Sequence, residues 1–242
     1  MHGQNSKENQ DKLVDYYNKY VDRQKRIGVN ARHESIAAKL VQSGLKNGVS
    51  LLEIGCGIGT FSSLLPQING TGTNFCIDIS DESIKLARET FKKETSLRFE
   101  CANAVEYDFN QQKFDVVVLP DVIEHIPQEF HKKLFESLAK VLKEQGFIFI
   151  HIPNPEYLAW CHENRPDLLQ IIDQPIYTSE LLKSISGTDL HIHELKTYSI
   201  WVVDGDYQYI VLKKNGFQNF ENTREEKVTF WDKIKYKLNV KK

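Results

Sequence analysis

Glu53-Ile54-Gly55-Cys56-Gly57-Ile58-Gly59 is the stretch of this 242-residue chain best equipped for chemistry. Its three alternating glycines carry no Cβ, so a ligand can approach the backbone closely. An apolar strand runs in from Ser50, and a helix opening near Thr60 offers free N–H groups and a positive dipole end. Such a strand–loop–helix unit cradles nucleotide-like ligands. The dinucleotide loop is G-x-G-x-x-G, whereas this one is G-x-G-x-G. Glu53, directly before the glycines, would repel a pyrophosphate but could hold a cationic amino group. Asp78 ends the next strand, about 20 residues on, where one carboxylate can accept both hydroxyls of a ribose. A second cluster is Asp121, Glu124 and His125. Their i, i+3, i+4 spacing places them on one face of a helical turn, where Glu124 could equally cap and His125 pack. Histidine is the side chain poised to exchange protons near neutral pH. His151 is a second proton acceptor by type, or a satisfied core histidine.

These residues need a frame, and the hydrophobic pattern supplies one. Strands are expected at Ser50–Ile54, Gly72–Ile77, Leu97–Cys101, Phe114–Leu119 and Phe147–Ile152. Between them lie helices at Thr60–Leu65 (ended by Pro66 and Gly70), Glu82–Phe91 and Gln128–Leu142, with a turn at Glu144-Gln145-Gly146. Five β–α units with short connections define a doubly wound α/β sheet. Pro153 to Pro175 reads as a long irregular segment of the kind that tends to be functional. A short helix over Thr178–Ser186, capped by Thr178 or Ser179, leads to strands Leu190–Tyr198 and Tyr207–Lys213. Upstream, a helix over Asp11–Arg26 precedes one over Ala31–Ser43 with Ile36, Leu40 and Val41 as its core face. The chain divides into an N-terminal helical lid (1–43), a central domain (44–214) and a C-terminal basic tail (215–242).

Composition narrows the classes. A net charge of −2 provides no global field for nucleic acid. No apolar run approaches the roughly 18 residues that span a bilayer, and the polar start, with Gln4, Asn5 and Asp11, lacks a signal-peptide core. Cys56, Cys76, Cys101 and Cys161 show no disulfide or metal spacing, which points to reduced thiols and a cytoplasmic address. In the tail, Val228, Trp231, Ile234 and Leu238 would form one helical stripe flanked by lysines. That stripe suits peripheral contact with an anionic membrane, packing on the domain, or a homodimer interface.

Taken together, E-x-G-x-G-x-G and Asp78 resemble class I S-adenosylmethionine-dependent methyltransferases, over roughly Arg32 to Lys213. The resemblance implies a Rossmann-like seven-stranded sheet ending in an antiparallel hairpin. It implies S-adenosyl-L-methionine as cofactor, held by Glu53, Gly55, Gly57, Gly59 and Asp78. It adds Ile79, Asn103, Ala104 and Leu119, with Arg32 reaching in from the lid. Asn103, which has both a donor and an acceptor for an adenine edge, could alternatively be a turn residue. Val122-Ile123-Glu124-His125-Ile126 is similar to the strand-four exit of ubiquinone-biosynthesis O-methyltransferases, whose motif E-x-x-E-H is associated with a divalent metal. By that likeness Asp121, Glu124 and His125 would bind Mg²⁺, with Asp replacing the first Glu. The strand-four exit lacks the N/D-P-P-Y pattern of amide and amine methylation. Aromatic and polar residues in Trp160–Tyr177, with Trp201, Asp204, Asp206 and Tyr207, suit a sugar, glycan precursor or other small-molecule hydroxyl acceptor. A lipid-linked or quinone acceptor at a membrane surface, or a binder without turnover, are the other readings.

Overall fold

The computed structural model describes Tyr16, Val21, Asp22 and residues 24–216. The expected N-terminal tail, most of the helix Asp11–Arg26 and the tail stripe of Val228, Trp231, Ile234 and Leu238 lie outside those residues.

Strands β1 (Ser50–Ile54), β2 (Thr73–Asp78), β3 (Leu97–Cys101), β4 (Phe114–Pro120) and β5 (Leu142–Pro153) pair in parallel. Strands β6 (Leu190–Tyr198) and β7 (Tyr207–Lys214) complete the sheet, with β7 antiparallel to β5 and β6. The sheet has seven strands in the order β3-β2-β1-β4-β5-β7-β6. The seven-stranded α/β sheet and its closing antiparallel hairpin are thus as expected from sequence.

Strand period two sorts the side chains between two cores. Leu52, Ile54, Val117, Leu119, Ile148 and Ile150 face one side, packed by α4 (His131–Val141) and α6 (Thr178–Ile185). Leu51, Val116, Val118, Phe147 and Phe149 face the other, packed by α1 (Ala31–Gln42), α2 (Leu65–Asn69) and α3 (Asp81–Thr90). Glu53 and His151 alternate with apolar residues on this second side and are therefore pulled into it; both are 0% exposed.

Several local expectations are corrected. On α1, Ile36 and Leu40 are buried but Val41 is 45% exposed, because the stripe is only two residues wide there. Pro66 does not stop a helix; it occupies the first turn of α2, where its missing N–H is harmless, and Gly70 closes that helix at φ +54. Gln128–Phe130 forms a 3₁₀ turn ahead of α4. Glu144-Gln145-Gly146 is a register shift inside β5 rather than a turn. The segment after Pro153 contains a helix, α5 (Pro155–Asn164), begun by Pro155 and by Asn154, whose side chain accepts the Glu156 N–H at 3.2 Å. α6 begins after Tyr177 without a side-chain cap. All four cysteines are free thiols; Cys56, Cys76 and Cys161 are buried and Cys101 is exposed.

Gly59 has a structural reason to be glycine. It holds φ +85, and a Cβ there would lie 2.6 Å from the Phe91 ring and 3.3 Å from that of Phe99. Gly59→Ala is expected to destabilise the fold by about 1–3 kcal/mol through overpacking. A urea-unfolding midpoint that falls without a change in slope would show it.

Candidate active site

The carboxyl ends of β1, β2 and β4 open into one cavity of about 510 Å³. Its floor is the glycine loop. Gly55, which lines the cavity with Cys56, turns at φ +73, and a Cβ on it would collide with Val122. The loop is pinned from below by Asp78: Gly57 N–H donates to Oδ2 at 2.8 Å, and Ser80 N–H donates to Oδ1 at 2.8 Å. Burial raises the Asp78 carboxyl, and these backbone N–H groups pull it back only in part.

Glu53 lies beside the loop. Ser62 Oγ–H donates to its Oε2 at 2.6 Å, while its buried Oε1 has no hydrogen-bond partner among the described residues. Burial pushes this carboxyl up to about 7, against the pull of Ser62 and Cys76. A buried acid with an unused oxygen at a cavity wall is suited to a cationic amino group, which would restore its ionised form. Ile79, Asn103 and Ala104 line the same wall. Asn103 also serves its turn, since its Oδ1 accepts the Val105 N–H at 3.0 Å. Of the other residues singled out from sequence, Gly59 packs against rings and Leu119 is wholly buried in the core on the α4 side.

Arg32 reaches the cavity from α1 and forms an ion pair with Asp121, Nη1 to Oδ2, at 2.9 Å. The other oxygen of Asp121 accepts His151 Nδ1–H at 2.5 Å. His151 Nε2 then accepts Tyr198 O–H at 2.7 Å, and Tyr198 accepts Ser35 Oγ–H at 3.2 Å. Arg32 and Ser35 are both on α1, so the network closes on itself. Burial alone would raise the Asp121 carboxyl; His151 and Arg32 outweigh it and hold the group at about 2. His151 is therefore committed at both nitrogens and lies beneath the cavity wall. Asp121 itself adopts φ +57, outside the helical turn that follows, a 3₁₀ turn over Ile123–His125. Its oxygens face Arg32 and His151 rather than Glu124. Among the described residues no group of three His, Cys, Asp or Glu is disposed to hold a metal. The Asp121, Glu124, His125 ligand set is not assembled, because their spacing meets a bend instead of a helix.

His125 does line the cavity. Burial would lower its imidazole, but Glu124, Asp173 and the Ile172 carbonyl overcome this and hold it at about 9. That is above the near-neutral range expected from residue type alone. Glu124, 1% exposed, is pushed up by burial, and its oxygens accept no hydrogen bond among the described residues. His33, next to Arg32 in the cavity wall, is lowered to about 4 by burial and by the Arg32 charge. Of the aromatic and polar segment expected at the acceptor, Gln170 and Ile172 reach the cavity. Asp206 instead caps the β6–β7 loop, accepting Ile200 N–H at 2.7 Å and Trp201 N–H at 3.0 Å.

A seven-stranded sheet with a bare glycine loop, an acid at each of the first two strand ends and a cavity over them defines a methyltransferase-type α/β domain. The comparisons agree. Residues 51–146 match the methyltransferase-domain family. A ubiquinone biosynthesis O-methyltransferase from Hydrogenovibrio crunogenus is 25% identical over 46% of this chain and 45% of its own length. A phosphoethanolamine N-methyltransferase from Plasmodium falciparum is 24% identical over 72% of this chain and 66% of its own. The chain thus matches less than two thirds of the length of these relatives. Among solved structures, magnesium protoporphyrin IX methyltransferase from Synechocystis, with bound S-adenosylhomocysteine, has the same fold. It aligns at a TM-score of 0.66 and 19% identity, over 85% of this chain and 99% of that one. The domain match over residues 51–146 and the shared fold are those of class I S-adenosylmethionine-dependent methyltransferases.

Asp121 carries the test of the polar network. Asp121→Asn leaves Arg32 without its countercharge and should destabilise the fold by about 3–5 kcal/mol, the range for breaking a buried ion pair. The depressed carboxyl contributes stability that is present above its ordinary value of 3.8 and lost as pH falls through about 2. Urea titrations between pH 5 and pH 2 should show that acid loss in the parent and a flatter curve in the variant.

Proposed function

We propose that the protein is an S-adenosylmethionine-dependent methyltransferase acting on a hydroxyl group of a sugar, glycan precursor or other small molecule. The observation that carries this reading is the continuity of one cavity from Glu53 and Asp78, at the donor loop, to His125 and Gln170, at the strand-four exit. The residues present fit the cofactor: a buried oxygen on Glu53 with no hydrogen-bond partner among the described residues for its amino group, and Asp78 at the strand end, lining the cavity, for a ribose. When bound, the cofactor supplies a methyl group on a positively charged sulfur, already activated for transfer.

The chain then has two tasks, alignment and removal of one proton. The glycine loop and Asp78 fix the donor end, and α1 with Arg32 closes the wall above it. His125 is the cavity group suited to taking the hydroxyl proton, at Nε2, since its Nδ1 faces the Ile172 carbonyl at 2.6 Å. With the imidazole held at about 9, only about one molecule in a hundred is unprotonated at pH 7. The relatives named for O- and N-methyl transfer make oxygen against nitrogen the first question for an acceptor panel.

Three measurements test this. Calorimetry with S-adenosylhomocysteine should detect binding, and Asp78→Ala should weaken it by about 1.5–3 kcal/mol; unchanged affinity would remove the ribose assignment. A labelled-methyl screen across sugars, phenols and amines should label a hydroxyl acceptor. With that acceptor, His125→Ala should lower turnover by about 10²–10⁴-fold at unchanged donor affinity. The parent's kcat/KM should climb nearly tenfold per pH unit from pH 7 and level off near 9, since activity needs the unprotonated imidazole.

A further inference from the structure

The segment between α5 and α6 crosses the strand-four exit as a strap, and its contacts with His125 have a direction. We infer that Asp173, on this strap, is a positioning residue for His125, fixing Nδ1 inward and Nε2 toward the cavity, and that Gln170 caps Nε2 until an acceptor hydroxyl takes its place. This rests on the proposed methyl transfer for its purpose, but not for its geometry.

His125 Nδ1 lies 2.6 Å from Ile172 O and 3.1 Å from Asp173 Oδ1. Both partners are acceptors only, so Nδ1 carries the proton and Nε2 is the nitrogen whose proton can come and go. Asp173 is itself immobilised. Its Oδ2 accepts the Gln170 N–H at 2.6 Å, its own carbonyl is held by His162 Nε2–H at 2.6 Å, and its side chain is 9% exposed. The strap is fastened to the His125 turn on the far side as well, by Gln174 N–H to Glu124 O at 3.0 Å and Gln174 Nε2–H to Ile126 O at 2.9 Å. His125 therefore cannot turn its ring over without loosening the strap.

Gln170 explains what meets Nε2 before an acceptor arrives. Its amide nitrogen sits 3.1 Å from His125 Nε2, and its Oε1 is buried without a hydrogen-bond partner among the described residues. A side-chain amide is nearly symmetric about its axis. With neutral imidazole the NH₂ faces the Nε2 lone pair; with imidazolium the oxygen faces Nε2–H. One residue thus satisfies both protonation states, and a hydroxyl must displace it to reach the same atom. Besides Asp173, the described charged groups that act on His125 include Glu124, whose Oε1 lies 3.8 Å from Nε2, and Asp121. The two acceptors on Nδ1, Ile172 O and Asp173 Oδ1, both belong to the strap, which thereby sets the tautomer.

The test uses ¹⁵N-histidine-labelled full-length protein, with S-adenosylhomocysteine binding as the check that each variant is folded. Once the ring is neutral, His125 of the parent should show the Nδ1–H tautomer in long-range ¹H–¹⁵N spectra. Asp173→Asn should lower the Nδ1–H fraction and Asp173→Ala should lower it further, while Gln170→Ala should leave it unchanged and, at lower pH where the ring is protonated, expose Nε2–H to faster solvent exchange. An Nε2–H tautomer in the parent, or an unaltered tautomer in Asp173→Ala, overturns the proposal. If an acceptor is found, Asp173→Ala should lower kcat about tenfold or more at unchanged donor affinity, and Gln170→Ala should lower the acceptor's KM; unchanged kcat would overturn the positioning role. Failure to find any acceptor would count against the proposed function while the spectra still judge Asp173.

Discussion

The charge on Asp121 is the constraint around which the active end of this domain is built. A carboxylate with only 9% of its side chain exposed must be compensated. The compensation comes from two directions, Arg32 on α1 and His151 on β5. Each partner brings an element with it. Arg32 draws the start of α1 over the cavity, and His151 ties Asp121 to β5, where Tyr198 continues the chain into β6 and Ser35 returns it to α1. A circuit of five side chains thus does what an apolar contact could not: it fixes direction as well as proximity. Lys39 adds to the same corner, its ammonium 4.7 Å from the centre of the Tyr198 ring. The positive φ of Asp121 follows from this, since the chain must leave β4 sharply for its carboxylate to meet both Arg32 and His151.

The glycine loop works on a different principle. There the protein satisfies its own backbone with Asp78 and leaves Glu53 half-satisfied at the cavity wall. The two carboxylates are neighbours, and their mutual repulsion is among the reasons Glu53 is raised, after burial. One acid organises the loop, and the other keeps an oxygen available. The cavity end at the strand-four exit again pairs opposites, with His125 between Glu124 and Asp173.

Much of the fold was legible because strands buried on both faces write themselves as apolar runs, as Phe114–Pro120 does, and because glycines at alternate positions have few other uses. Glu53, Asp78 and His125 were legible for the same local reason, each lying at a strand end or just past one. What escaped was either a misread local signal or a long-range partnership. Pro155 lies in a stretch that reads as irregular, yet Asn154 before it is a helix cap, and the pair starts α5. The Asp121, Glu124, His125 spacing presumed a helix, and the chain makes a bend first. Asp173 and Gln170 lie in a segment legible as functional, but their individual partnership with His125, 45 or more residues away in sequence, appears only once the strap is folded back. Ser35 and Tyr198, separated by 163 positions, are legible only in three dimensions.

The pinning of the loop by Asp78 has a thermodynamic consequence. Gly57 and Ser80 already donate their N–H groups to the carboxylate before any ligand is considered. Glycine has the most conformational freedom to lose, and here much of that loss belongs to folding rather than to recognition. A ligand arriving at this floor meets a surface already in shape. Its affinity then reflects the contacts it makes with Glu53, Asp78 and the bare backbone, with little deducted for ordering the chain beneath it.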